Sequence, residues 1–139
     1  MKMKVIFLDI DGVLNTNSDK EILNDKLKLL SELVSKTGAD VVLSSSWRYG
    51  WNKPELNKPG TRIYGLKQLL KDNGIVIKDT IGLDLTKYIQ IKNYLNTNMI
   101  SNYIVLDDEP IDTANLIQTN GDIGLTQSDC LKAAQLLLK

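Results

Sequence analysis

Histidine is missing from this 139-residue chain, and cysteine occurs once. The first absence removes the usual general base near neutral pH and the commonest zinc ligand. The second rules out an intrachain disulfide and a thiolate metal site. Acids, bases and nucleophiles must therefore be carboxylates, lysines, tyrosines, serines or threonines. Net charge is lacking too, because 17 basic residues balance 17 acidic ones. No global field then draws the protein to nucleic acid or to an anionic lipid surface, and any such contact must be local. No stretch approaches the roughly 18 consecutive apolar residues of a membrane span. The Met-Lys-Met-Lys start runs into a short apolar segment, without the long apolar core and cleavage site of a signal peptide. The expectation is a cytoplasmic protein with no membrane association. Cys130 sits in an apolar C-terminal pattern and reads as core filler.

Short apolar runs alternate with helical patterns along the rest of the chain. Val5 to Leu8, Val41 to Leu43, Ile75 to Ile77, Tyr103 to Leu106 and Leu116 to Gln118 read as strands buried on both faces. Leu23, Leu27, Leu30 and Val34 form one helical face that Gly38 terminates. Leu66, Leu69 and Leu70 precede a stop at Asn73-Gly74, and Tyr88, Ile91 and Leu95 make a later face. A last helix starts near Ser128 or Asp129 and carries Leu131, Ala134, Leu137 and Leu138. Such alternation predicts an α/β fold: a Rossmann-like three-layer sandwich around a central, mostly parallel five-stranded sheet. The length suits a single domain over residues 1–139, with no insertion large enough for a cap. Tyr49 to Arg62, with Pro54, Pro59, Gly50 and Gly60, reads as a long loop that either serves a site or is a surface insertion.

Residues Phe7 to Asn15 read Phe-Leu-Asp-Ile-Asp-Gly-Val-Leu-Asn. Side chains two positions apart along a strand point the same way, so Asp9 and Asp11 face one small volume as the chain leaves the sheet. Carboxylates held that close need a proton or a cation between them, and oxygen-only ligands suit Mg2+. The pattern also serves as an ordinary turn. Two further strand ends are polar, Ser44-Ser45-Ser46-Trp47-Arg48 and Asp107-Asp108-Glu109. In open parallel sheets the ligand lies beyond the strands' carboxyl ends. Helix capping explains any one of these ends but explains all three together poorly. Acidic groups converging without a cation would cost several kcal/mol.

These segments, taken in order, resemble the motifs of the haloacid dehalogenase (HAD) superfamily. Leu8 to Asn15, Leu43 to Arg48, Leu106 to Glu109 and Gly124-Leu125-Thr126 resemble more narrowly the capless phosphatase-like domains associated with nucleic-acid repair, relatives of polynucleotide kinase 3'-phosphatase domains. The resemblance implies a Mg2+-dependent phosphomonoesterase with an aspartyl-phosphate intermediate. Asp9 would be the nucleophile and Asp11 the general acid and base, its backbone carbonyl helping to hold the metal. Ser44, or Ser45 if the strand runs longer, would bind a phosphoryl oxygen. Lys87, with Lys78 and Lys92 as competitors, would neutralise Asp9 and the phosphoryl group. Asp107 and Asp108 would complete the Mg2+ site, with Asp108 the favoured direct ligand. Asp112 would either orient a metal-bound water or cap a helix.

Arg48 can grip a phosphate with two parallel hydrogen bonds, and Trp47 or Trp51 can stack on a base, unless they anchor the core or a loop. Gly124 to Thr126 suits turn and capping geometry. The expected partner is a phosphorylated substrate, with a nucleic-acid 3' end favoured. A small-molecule or nucleotide phosphatase and a catalytically silent metal-binding module remain the alternatives.

Overall fold

The computed structural model describes residues 3–139; Met1 and Lys2, the first half of the Met-Lys-Met-Lys start, lie outside them. Strands β1 (Met3–Leu8), β2 (Asp40–Leu43), β3 (Ile77–Thr80), β4 (Ile100–Asp107) and β5 (Leu116–Gln118) form one sheet in the order β3-β2-β1-β4-β5. Every pairing is parallel, where the sequence pattern alone predicts a mostly parallel sheet. Helices α1 (Asn24–Thr37), α2 (Arg62–Asp72), α3 (Lys87–Thr97) and α4 (Gln127–Leu137) flank it.

Alternation within β1 builds the two cores. Ile6 and Leu8 point to one face with Leu27 and Leu30 of α1, Leu66 and Leu70 of α2, and Leu137 of α4. Val5 and Phe7 point to the other, against Ile91 and Tyr94 of α3. There the Phe7 ring meets those of Tyr94 and Tyr103 edge-on, with centroids 5.7 and 6.0 Å away. A strand buried on both faces must be apolar at every position, and β1 is so from Val5 to Leu8.

Several expectations need correction. The run Ile75 to Ile77 is not a strand: Ile75 N donates to Leu70 O as part of the α2 stop, and β3 begins only at Ile77. β3 is an edge strand with two exposed residues, which is why its Ile-Lys-Asp-Thr sequence carries no apolar signal. Leu131 and Leu138 are about half exposed, and Ala133 takes the buried position on α4 instead. Tyr88 and Leu69 also face outward. No helix separates β4 from β5, only residues 108–115, so Asp112 is exposed and has no helix to cap.

The Tyr49 to Arg62 segment packs down. Trp51 is buried in the first core, Lys67 Nζ donates to its carbonyl, and Thr61 caps α2. Thr126 and Asp129 form a reciprocal capping box on α4, as Gly124 to Thr126 suggest. Burial pushes the Cys130 thiol up to about 11, as suits a packed side chain rather than a nucleophile. Among the described residues, no helix is long and apolar enough to cross a membrane.

Since α3 covers its face of the sheet alone among the four helices, Ile91 has little around it that can collapse into a vacancy. Ile91→Ala is expected to cost about 2–5 kcal/mol, read as a lowered urea midpoint at unchanged slope.

Candidate active site

The chain lays β2 and β3 on one side of β1, then returns to place β4 on the other. The carboxyl ends of β1 and β4 therefore flank the point where strand order reverses, which is where open α/β sheets leave a crevice. Leu8 is in register with Leu106, and Asp9 N donates to Leu106 O at 3.0 Å. This pairing sets Asp9 beside Asp107, two of the acids picked out by sequence. One carboxylate oxygen from each of Asp9, Asp107 and Asp108 lies within 4.8 Å of the others. Asp9 and Asp107 are buried; Asp108 is partly exposed.

Lys87 opens α3 and reaches into this group. Its ammonium stands 2.8 Å from Asp107 Oδ2, 3.6 Å from Asp9 Oδ1 and 4.0 Å from Glu109 Oε1. The two competing lysines are elsewhere: Lys78 pairs with Asp40 at the far end of β2, and Lys92 lies over the Tyr88 ring. Burial alone would draw Lys87 down, but Asp9 and Asp107 outweigh it and hold the ammonium above its ordinary value. One lysine does not balance three carboxylates. Desolvation, followed by repulsion from Asp107, pushes Asp9 up to about 8. Desolvation and Asp107 raise Asp108 as well. Oxygen donors that repel one another in this way fit a hard divalent cation.

Ser44 follows β2 with its N–H on Leu8 O, directly beside the exit of β1. Its hydroxyl is fully buried and, among the described residues, is the only buried side-chain polar atom without a hydrogen-bond partner. Such an orphan costs about 1–3 kcal/mol unless a ligand satisfies it. Ser45 is committed otherwise, because its Oγ accepts from Trp47 N and starts the 3-10 turn Ser46–Tyr49.

Arg48 corrects the sequence reading. Its side chain is turned inward, donating from Nε to Gly82 O, from Nη1 to Ser44 O and Ser45 O, and from Nη2 to Tyr49 Oη. No pair of parallel donors remains for a phosphate. The guanidinium gives the Ser44 carbonyl at the sharp turn after β2 a partner and adds a second donor to the Ser45 carbonyl, which already accepts from Arg48 N. Trp51, buried, cannot stack on a base. Trp47 is half-buried, and its Nε1 donates to Asp11 Oδ2 at 3.1 Å.

The Asp11 carboxylate stands apart from the three-carboxylate group. Asn15 Nδ2 donates to its Oδ1 at 2.8 Å while Asn15 Oδ1 accepts from Gly12 N, so a single fully buried amide ties the turn to the acid. Gly12 has φ +83°, and a Cβ there would run into the Asp108 carboxylate. Three cavities share Asp11. One, of about 370 Å3, also holds Asp9, Ser46, Thr86, Lys87 and Asp108. The other two, of about 450 and 790 Å3, are bounded by Trp47 and Arg62. Asn15, Ser46, Thr86 and Arg62 escaped the sequence reading. For Asn15 the available signals are its place four residues after Asp11 and at the end of the Leu8 to Asn15 segment; for Arg62 it is only its place at the end of the Tyr49 to Arg62 loop.

Two measurements probe this geometry. Gly12→Ala adds backbone strain of about 1–3 kcal/mol together with a collision at Asp108. A lower denaturation midpoint is therefore expected, along with loss of any divalent-cation stabilisation. Asp9 binds its proton more tightly when folded than its ordinary value of 3.8 allows, so the folded state holds more protons than the unfolded one between that value and about 8. Stability of the chelator-treated protein should then fall as pH rises through this window and level off above it. Asp9→Asn should flatten the profile, as read by thermal unfolding from pH 5 to 9.

No curated protein and no solved structure matches the chain. A family model described as the HAD domain in Swiss Army Knife RNA repair proteins matches residues 5–130. That match covers nearly all of the sheet and helices described above, with Asp9, Ser44, Lys87 and Asp107 inside it, and it points to a hydrolase of the phosphatase type. The chain belongs to the HAD superfamily, in the family of HAD domains of Swiss Army Knife RNA repair proteins.

Proposed function

We propose that this protein is a Mg2+-dependent phosphomonoesterase that removes 3'-phosphate groups from nucleic-acid ends through an aspartyl-phosphate intermediate. The observation that carries the reading is the convergence of Asp9, Asp107 and Asp108 around one point with Lys87 against them. The orphaned Ser44 hydroxyl supports it, since that donor lacks a partner where a phosphoryl oxygen would sit. The family supports the substrate class, because its members are domains of RNA repair proteins. Absence of an inserted layer between β1 and α1 leaves the site open to a bulky end, consistent with one uncapped domain over residues 1–139. A cytoplasmic place of action belongs to the same proposal.

Asp9, Asp107 and Asp108 would hold Mg2+, Asp108 most directly, since Asp107 is engaged by Lys87 and by Glu109 N. When bound, the ion supplies charge neutralisation for the carboxylates and for the phosphoryl oxygens. An Asp9 oxygen attacks phosphorus, the phosphorus–oxygen bond to the leaving sugar breaks, and Asp11 gives its proton to the departing alkoxide. Water then attacks the acyl phosphate with Asp11 taking a proton, which releases inorganic phosphate and regenerates Asp9. Lys87 holds its charge next to Asp9 throughout, and Ser44 donates to a phosphoryl oxygen. Trp47 and Asn15 keep the Asp11 carboxylate aimed through hydrogen bonds on both its oxygens.

Phosphate release from 3'- and 5'-phosphorylated oligonucleotides, nucleotides and sugar phosphates, with and without Mg2+, tests this. Release from 3'-phosphorylated oligonucleotides that chelation stops is the expected result. Preference for free nucleotides or sugar phosphates would reassign the substrate, and no hydrolysis of any would leave a silent metal-binding module. Asp9→Asn should abolish turnover and the acid-stable phosphoenzyme, whereas Asp11→Asn should slow turnover by about 100- to 10,000-fold.

A further inference from the structure

The two cavities that Asp11 lines but Asp9 does not, of about 450 and 790 Å3, are the room left for whatever the scissile phosphate is attached to. Asp11 faces the leaving oxygen in the reading above, on which this inference rests, so the leaving strand must pass that carboxylate. Both cavities have Trp47 and Arg62 in their walls. The Arg62 guanidinium carbon lies 4.5 Å from the centroid of the Trp47 ring. Stacking occupies only the face of a guanidinium and leaves its N–H donors pointing outward in the plane. Arg62 is exposed, and among the described residues its guanidinium has neither an ion-pair partner nor a hydrogen bond.

This contrasts with Arg48, four of whose five N–H donors are turned onto the protein itself. The Trp47 Nε1 donates to Asp11, so Asp11, Trp47 and Arg62 are in contact in series, from the acid to a guanidinium with no hydrogen bond or ion pair of its own among the described residues. Arg62 also opens α2, whose first turn contains no acid. A cation at that end of a helix gains nothing from the helix dipole, so what holds Arg62 there is its contact with Trp47.

We propose that Arg62, stacked on Trp47, binds the phosphodiester next to the scissile phosphate on the leaving strand, and that it thereby determines specificity for a polynucleotide end. A planar fork of donors matches the oxygens of a phosphodiester. A nucleoside monophosphate lacks that second phosphate and has nothing for Arg62 to hold.

The test compares wild type, Arg62→Ala and Arg62→Lys on a 3'-phosphorylated oligonucleotide and on a nucleoside 3'-monophosphate. Arg62→Ala should lower kcat/KM on the oligonucleotide about 10- to 100-fold, through KM, and change it less than about 3-fold on the monophosphate. Arg62→Lys should recover part of the loss. The dependence of log kcat/KM on log salt should also become shallower by about 0.7 in Arg62→Ala, because the variant neutralises one fewer phosphate of a single strand. Equal losses on both substrates, or none on either, would overturn the proposal. Fluorescence-anisotropy binding of the same oligonucleotide needs no turnover. Weaker binding by Arg62→Ala with no hydrolysis by wild type would sink the phosphatase reading while upholding the Arg62 contact to a backbone phosphodiester; equal binding by the two proteins would overturn that contact.

Discussion

Asp9 and Asp107 are buried side by side, with Asp108 close enough to repel both, and among the described residues only one ammonium reaches them. Charge of one sign cannot be concentrated in a low-dielectric crevice without a counter-charge or a proton. The site resolves this unevenly. Lys87 pairs most closely with Asp107, and Asp9 is left as the acid with a value raised to about 8. The same imbalance leaves three carboxylate oxygens crowded at one point, an arrangement suited to a divalent cation.

Rigid neighbours make that imbalance possible. Parallel registration of β1 with β4 forces Asp9 and Asp107 together regardless of their repulsion, since slipping either strand would turn its buried apolar residues to the wrong core. The turn after β1 is held from several sides. Thr119 Oγ1 donates to Gly12 O, Asn15 joins Gly12 N to Asp11, and Leu125 N donates to Val13 O. Backbone at a left-handed glycine is thereby kept tight against Asp108. The two sheet faces bear this load differently, with three helices on one and α3, which also delivers Lys87, on the other.

Residue chemistry alone misjudged the segment after β2. Arginine and tryptophan next to a run of serines suggest a phosphate clamp and a base platform, yet the fold spends Arg48 on the carbonyls of a 3-10 turn and Trp51 on the core. Both outcomes have one cause. A chain that leaves a buried strand and turns at once has carbonyls to satisfy and apolar surface to cover, and the nearest long side chains do so. Arg62, fourteen residues after Arg48 and without a motif, is among the described residues the arginine whose guanidinium has no hydrogen bond or ion pair.

Sequence by itself determined the α/β layering and marked the strand-end acids Asp9, Asp11, Asp107 and Asp108 as candidates, because strand and helix periods and the residues at their ends are local properties; it left Lys78, Lys87 and Lys92 in competition. It missed β3, whose exposed edge carries no apolar pattern, and it placed Leu131 and Leu138 inward on α4. Tertiary structure decided which acids meet, which serine keeps a free hydroxyl and which arginine stays unpaired. Those outcomes depend on strand order and on competition for hydrogen-bond partners between segments far apart in the chain, and no stretch of residues contains that information locally.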